Sequence, residues 1–195
     1  MTKKITALII ILVMLFSLSA CKESKNTDTP DTSVNTTEPT ITTTVFGTFT
    51  AQTLDGSQVT DKIFSENKVT MVNIWATFCG PCIKEMPDLA RLAKDYKDKG
   101  VAIIGIPCDV TDSLGNVNEQ LLETANKIVA QTGADYMHII PTKELNDAKL
   151  STVYSVPETV FVNSKGEIIK ESYIGSRSYE QWAEIIDSML SEVNG

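Results

Sequence analysis

The chain has 195 residues, of which 42% are hydrophobic and 22% are charged. That length suits one ordinary domain with appendages, and the composition excludes collagen-like, coiled-coil and wholly disordered chains. A formal net charge of -8 argues against a nucleic-acid backbone or an anionic lipid surface as partner. Four cysteines and one histidine are too few for a disulfide-stapled miniprotein or a multi-histidine metal site, so no metal is expected.

Residues 1–20 are predicted to be a signal peptide. A pair of lysines precedes an almost unbroken apolar stretch over residues 5–18. A helix of that length would rise about 21 Å, which is short of the roughly 30 Å hydrocarbon core of a bilayer. A cleaved secretory signal is therefore favoured over a permanent membrane span.

The end of this segment, LSAC at residues 18–21, resembles the lipobox of bacterial lipoproteins. The resemblance implies cleavage before Cys21 and acylation of that cysteine, and several acyl chains suffice for stable anchoring. The alternative is an ordinary signal peptide followed by an incidental cysteine.

Residues 21–45 are predicted to be a flexible linker. Threonine is its commonest residue, and only Val34 and Ile41 are apolar between residues 22 and 44. Such a segment buries too little apolar surface to offset the entropy lost on ordering. The folded domain is therefore predicted to occupy residues 46–195.

Within this domain, strands are predicted to alternate with helices. The strands are expected at residues 46–50, 69–75, 101–106, 137–140, 159–162 and 168–173, and residues 54–59 read as strand, turn and strand. The helices are expected at residues 82–97 (interrupted by Pro87), 121–129, 145–150 and from Ser178 onward. Residues 163–166 read NSKG and indicate a hairpin, and Ser178 with Gln181 forms a capping box. The order predicts an α/β fold with helices on both faces of the sheet.

Two cysteines, Cys79 and Cys82, stand where a predicted buried strand becomes a predicted helix. Backbone N–H groups at a helix N-terminus stabilise an adjacent thiolate and lower its pKa. Because the thiolate is the nucleophile in disulfide exchange, Cys79 is predicted to attack and Cys82, one turn inward, to resolve. Pro81 suits the first helical turn, where its missing N–H costs nothing.

Three other uses of this C-x-x-C pair are less compatible with the sequence. A structural zinc site usually needs four ligands, and only Cys108 and His138 remain to supply them. Haem attachment would need histidine after the second cysteine, where Ile83 stands. A purely structural disulfide would close a very small loop and add little stability. Redox exchange is therefore favoured.

Four segments carry a resemblance to the thioredoxin superfamily, specifically to extracytoplasmic thiol-disulfide oxidoreductases of the TlpA/ResA type. They read TLDGSQVT, VNIWATFCGPCIKEMP, GVAIIGIPCD and SVPETVFVNSKGEI. The resemblance implies a thioredoxin-like α/β fold with a central mixed sheet, helices on both faces and an N-terminal β-hairpin extension. It also implies that Cys79 is the nucleophile, that Cys82 resolves, and that their redox-active disulfide acts without any cofactor.

The resemblance further implies a cis bond between Val156 and Pro157, opposite the cysteine pair. The implied substrate groove consists of Trp75, Phe78, Gly80, Pro81, Val156 and Pro157. Phe78 replaces the more frequent tryptophan and should still give an apolar platform. Trp75, at the end of a buried strand, is at least equally a core residue.

The chain departs from thioredoxin at Asn73, where thioredoxin has a buried aspartate that accepts a proton. Asparagine cannot take up a proton, so the resemblance implies that a carboxylate elsewhere assists Cys82. Asp109 and Glu158 are the candidate proton acceptors, and the alternative for both is a solvated surface carboxylate. Cys108 is either a third redox thiol or, as favoured, a half-buried packing residue.

These observations predict a membrane-anchored thiol-disulfide oxidoreductase that reduces disulfides of extracytoplasmic proteins. Its expected location is outside the bacterial cell membrane, held by a lipid anchor. Its expected partners are protein disulfides, a membrane protein that donates electrons, and the membrane itself, but no nucleic acid. The alternatives are a thiol oxidase, a peroxide-reducing relative, or a non-enzymatic lipoprotein that binds an acceptor protein.

Overall fold

The computed structural model describes residues 44–194. The predicted signal peptide, Cys21 and nearly all of the predicted linker lie outside these residues. The strands are β1 (Thr50–Gln52), β2 (Gln58–Thr60), β3 (Val69–Trp75), β4 (Val101–Pro107), β5 (Met137–His138), β6 (Glu158–Asn163) and β7 (Tyr173–Ile174). The helices are α1 (Gly80–Tyr96), α2 (Glu119–Thr132), α3 (Lys143–Ala148) and α4 (Tyr179–Asn194).

A mixed sheet of order β5-β4-β3-β6-β7 forms the centre, with β3 in the middle. β3 is parallel to β4 and antiparallel to β6. All seven residues of β3 are buried, as its continuous apolar run predicts for a strand covered on both faces. β1 and β2 form a separate antiparallel hairpin.

The two faces of the sheet are covered by different elements. On one face, α1 and α4 pack over Met71 and Phe161, with Leu89 and Trp182 in the same cluster. α2 contributes Ala125 and Ile128 to a neighbouring cluster beneath the cysteine pair. The opposite face is covered by α3 and by the segment before β3, which share a core cluster with Val72 and Ile104 of the sheet. Helices on both faces are thus confirmed.

Several predicted boundaries differ from the structure. The alternating residues 46–50 are mostly not a strand, because Phe46 and Phe49 bury their rings from a loop, where both pack on Phe64. The predicted interruption at Pro87 is wrong, since α1 continues through it to Tyr96.

The predicted strand 168–173 is reduced to a bridge at Ile168 and the short β7. Residues 170–172 between them are polar and exposed, so pairing them in the sheet would bury no apolar surface. At the other side of this hairpin, the Val45 amide donates to the Gly166 carbonyl at 3.1 Å and fixes where the chain enters the domain. Among the described residues, no helix is long and apolar enough to cross a membrane.

Candidate active site

The cysteine pair occupies the junction between β3 and α1. Cys79 is the N-cap of α1 with extended backbone, and the amide of Cys82 donates to its sulfur at 3.2 Å. Pro81 lies in the first turn, as predicted. The two cysteines form a disulfide. Cys79 is 6% exposed whereas Cys82 is fully buried, so only the first sulfur can be reached from solvent.

A loop with a cis peptide bond lies against the Cys79 sulfur. The Val156–Pro157 bond is cis, as the resemblance implies. The Val156 carbonyl oxygen lies 3.6 Å from Cys79 Sγ. The Pro157 carbonyl in turn accepts a hydrogen bond from the Gly175 amide at 2.9 Å. The loop therefore presents a backbone acceptor beside the reactive sulfur.

The surface around the disulfide is partly apolar. Phe78, directly before the first cysteine, is 78% exposed, and Gly80 and Pro81 are exposed as well. Tyr154, two residues before Val156, is 86% exposed. The two segments that meet at the Cys79 sulfur thus each carry an exposed aromatic ring. The sequence predicted Phe78 as part of this surface but not Tyr154.

Trp75 does not belong to this surface, although it is one of the predicted groove residues. Its side chain is fully buried and packs edge-on against His138, with ring centroids 5.7 Å apart. It shares a core cluster with Cys79 and Cys82. Since β3 is covered on both faces, its last side chain supports the disulfide from beneath.

A buried carboxylate on α1 was missed by the sequence analysis. Glu85 is only 3% exposed and follows Cys82 by three residues, which places both on one side of the helix. Its oxygens accept hydrogen bonds from Asn73 Nδ2 at 3.0 Å, the Arg177 amide at 3.1 Å and Trp182 Nε1 at 3.2 Å. The sequence signal that could have identified Glu85 is its spacing of three residues from Cys82.

Burial raises the pKa of the Glu85 carboxyl above its ordinary value, against the opposing effect of the hydrogen bonds it accepts. No cationic side chain forms an ion pair with it in the described part of the chain. Glu85 is therefore a buried carboxyl group whose charged form is disfavoured by burial.

The two predicted proton acceptors are placed differently. Asp109 is half-buried and accepts hydrogen bonds from the amide and hydroxyl of Thr77, in the loop that leads to Cys79. Glu158 is 3% exposed and forms an ion pair with Lys149 at 2.6 Å. Neither is a solvated surface carboxylate, and each already has a strong hydrogen-bond donor.

The remaining thiol and imidazole are both packed into the protein. Cys108 is half-buried against two core clusters, and burial raises its pKa to about 11. His138 is buried, with Nε2 3.0 Å from the Ala134 carbonyl oxygen, and burial lowers its pKa to about 4. Within residues 44–194, no group of three or more histidine, cysteine or acidic side chains could hold a metal ion.

A family model described as Redoxin matches residues 26–181, which is most of the chain. The chain belongs to the Redoxin family. Thiol-disulfide oxidoreductase ResA of Halalkalibacterium halodurans is 34% identical over 105 residues, covering 54% of this chain and 53% of that protein. ResA of Oceanobacillus iheyensis is 31% identical over 106 residues, covering 53% and 48%. The chain thus spans about half the length of these two Redoxin relatives.

Among solved structures, the Redoxin domain is similar to a thioredoxin-family thiol:disulfide interchange protein from Chlorobium tepidum. The two share 22% identity with a TM-score of 0.61, over 73% of this chain and 93% of the other. At that identity the likeness speaks for the fold alone. It confirms the predicted thioredoxin-like fold. The Redoxin match and the two ResA relatives confirm the resemblance to TlpA/ResA-type proteins.

Proposed function

We propose that this protein is a thiol-disulfide oxidoreductase that reduces disulfide bonds of other proteins through Cys79 and Cys82. The observation that carries the proposal is the disulfide at the N-terminus of α1, with one sulfur reachable, the other buried, and a backbone carbonyl beside the first. The names of the ResA relatives support the same reaction class.

The reaction starts from the dithiol form. The Cys79 thiolate attacks a substrate disulfide, forms a mixed disulfide and releases one substrate thiolate. The Cys82 thiolate then attacks Cys79 Sγ, releases the second substrate thiolate and closes the Cys79–Cys82 disulfide. Two electrons pass to the substrate, and its two thiolates take up the protons that the enzyme's thiols lose.

The second step requires that the fully buried Cys82 lose its proton. We assign the acceptor role to Glu85, because it shares a side of α1 with Cys82 and forms no ion pair within residues 44–194. Asp109 and Glu158 were the acceptors predicted from sequence. The hydrogen bonds of Asp109 suit a role in holding the loop before Cys79, and Glu158 is already paired with Lys149.

Trapping of the mixed disulfide tests the reaction. Cys82→Ser removes the resolving thiolate, so adducts linked through Cys79 should accumulate when the reduced variant meets a protein disulfide. These adducts should appear on non-reducing gels and be absent with Cys79→Ser/Cys82→Ser. A folded Cys82→Ser protein that forms no adduct would contradict the proposal.

The reducing direction rests on the Gly80-Pro81 dipeptide, which also separates the cysteines of thioredoxin. Thioredoxin has a reduction potential of about -270 mV, whereas the oxidant DsbA has one of about -120 mV. Equilibration of the Cys79–Cys82 couple with glutathione should therefore give a value near the first. A value near the second would make the protein a thiol oxidase.

We further propose that the protein is held outside the bacterial cell membrane by acylated Cys21 and receives electrons from a membrane protein. The support is the lipobox-like sequence and the oxidising extracytoplasmic environment, where a reductase needs an electron supply. Cys21→Ser should release the protein from the membrane fraction. Unchanged membrane association of that variant would contradict the anchor.

A further inference from the structure

A buried ion pair closes the base of the loop that faces the active sulfur. Lys149 Nζ lies 2.6 Å from Glu158 Oε1, with side-chain exposures of 12% and 3%. Lys149 ends α3, and Glu158 begins β6 directly after the cis proline. The pair therefore joins the two ends of the segment that carries Tyr154 and Val156.

The middle of this segment has little else to hold it. The turn at its start is closed by the Val153 amide, which donates to the Leu150 carbonyl at 3.0 Å. In the described structure, the amides of Tyr154, Ser155 and Val156 donate no hydrogen bond. Val153 and Val156 pack on the core only in part. The ion pair is thus the strongest polar contact between the start and the end of the loop.

The same region contains a second lysine–carboxylate ion pair, which is exposed. Lys143 and Asp147 pair one turn apart on α3, with exposures of 53% and 57%. An exposed pair of this kind gains little, because water screens both charges. The buried pair is screened far less, so its geometry constrains the backbone on either side.

We propose that Lys149 and Glu158 are positioning residues for disulfide exchange, which fix the cis-proline loop so that the Val156 carbonyl stays beside Cys79. This inference rests on the proposed function. The loop orients a protein disulfide for in-line attack by the Cys79 thiolate, whereas a small alkylating agent needs no such alignment. Loss of the pair should therefore slow exchange with proteins and spare the intrinsic reactivity of the thiolate.

The test variant is Lys149→Met/Glu158→Gln, which removes one positive and one negative charge together. It leaves no unpaired buried charge, and the net charge near Cys79 is unchanged. We expect the rate constant for reduction of insulin to fall about tenfold, since small misplacements of reacting groups cost that much or more. The rate of alkylation of reduced Cys79 by iodoacetamide should stay at the wild-type value.

Three further variants complete the design. If the double variant fails to fold, Glu158→Gln takes its place, because Lys149 is partly exposed and water can then hydrate its charge. It should likewise slow insulin reduction and leave the alkylation rate of Cys79 unchanged. Lys149→Arg keeps the charge and should retain most of the insulin rate. Lys143→Met, the matched control on the exposed pair, should change neither rate.

Parallel loss of both rates in the neutralised variants would overturn the proposal, because it would mean general damage to the site. Unchanged rates in both assays would overturn it equally. Failure of the wild-type protein to reduce insulin would instead contradict the proposed function, so the two failures are distinguishable.

Discussion

Acidification is predicted to destabilise the fold through a single imidazole, that of His138. The ring is 3% exposed, and Nε2 donates to the Ala134 carbonyl while Nδ1 has no partner within residues 44–194. Only the neutral ring fits this setting, because a proton on Nδ1 would be buried without an acceptor. Burial accordingly lowers the pKa from 6.5 to about 4.

The size of the effect follows from the pKa difference between the unfolded and folded states. A folded-state pKa below the unfolded value means that the neutral ring stabilises the fold above pH 6.5. That contribution is lost as the pH falls toward about 4. At about 1.4 kcal/mol for each unit of difference, the total loss comes to about 3 kcal/mol. Most domains have about 5–15 kcal/mol of stability, so the loss is substantial.

The chain has one histidine, which makes the measurement unambiguous. An NMR titration of the His138 Cε1 proton in the folded protein should give the lowered pKa directly. Urea unfolding at about pH 7 and about pH 5 should show a fall in the free energy of unfolding. In the control variant His138→Gln, whose amide can donate to Ala134, the fall should be smaller by about 2 kcal/mol.

Two results would refute this reasoning. One is an imidazole that titrates near 6.5 in the folded protein, which would mean that burial does not disfavour its charged form. The other is an equal loss of stability in the wild type and in His138→Gln, which would place the acid sensitivity in carboxylates.

Three further outcomes are expected. When the reduced protein is treated briefly with iodoacetamide at neutral pH, Cys79 should be labelled well before Cys108. The pKa of Cys108 is raised to about 11, so little of it is thiolate. Peptide mass mapping would show the order of labelling. Glu85→Gln should slow release of the mixed disulfide about a hundredfold if Glu85 is the general base, and quenched non-reducing gels measure the release. Gly105→Ala should cost about 1–3 kcal/mol in urea unfolding, because the added methyl group would overlap the buried ring of His138.

Local patterns predicted much of the fold and the centre of the site. The strand-to-helix position of Cys79 and Cys82 follows from the buried run before them and Pro81 after them. The features that could not be predicted depend on tertiary contacts. Glu85 looks like an ordinary exposed helix residue until Trp182, far along the chain, covers it and donates to it.

The same reasoning explains two further features that the sequence did not reveal. Trp75 was predicted partly as a groove residue, and only the cover on both faces of β3 shows that it is core. The ion pair between Glu158 and Lys149 could not be predicted either, because it depends on how α3 meets the start of β6. No periodicity in the sequence indicates that these two elements are in contact.

The hydrogen bond from Val45 to Gly166 marks the end of the domain at which the chain enters. Gly166 follows β6, whose last residue, Asn163, pairs with the first residue of β3. Cys79 lies past the opposite end of β3, and a seven-residue strand spans about 20 Å. The chain thus enters at one pole of the domain and the disulfide lies at the other. If the proposed anchor at Cys21 is correct, the disulfide lies at the end of the domain that is remote from the segment leading to the membrane.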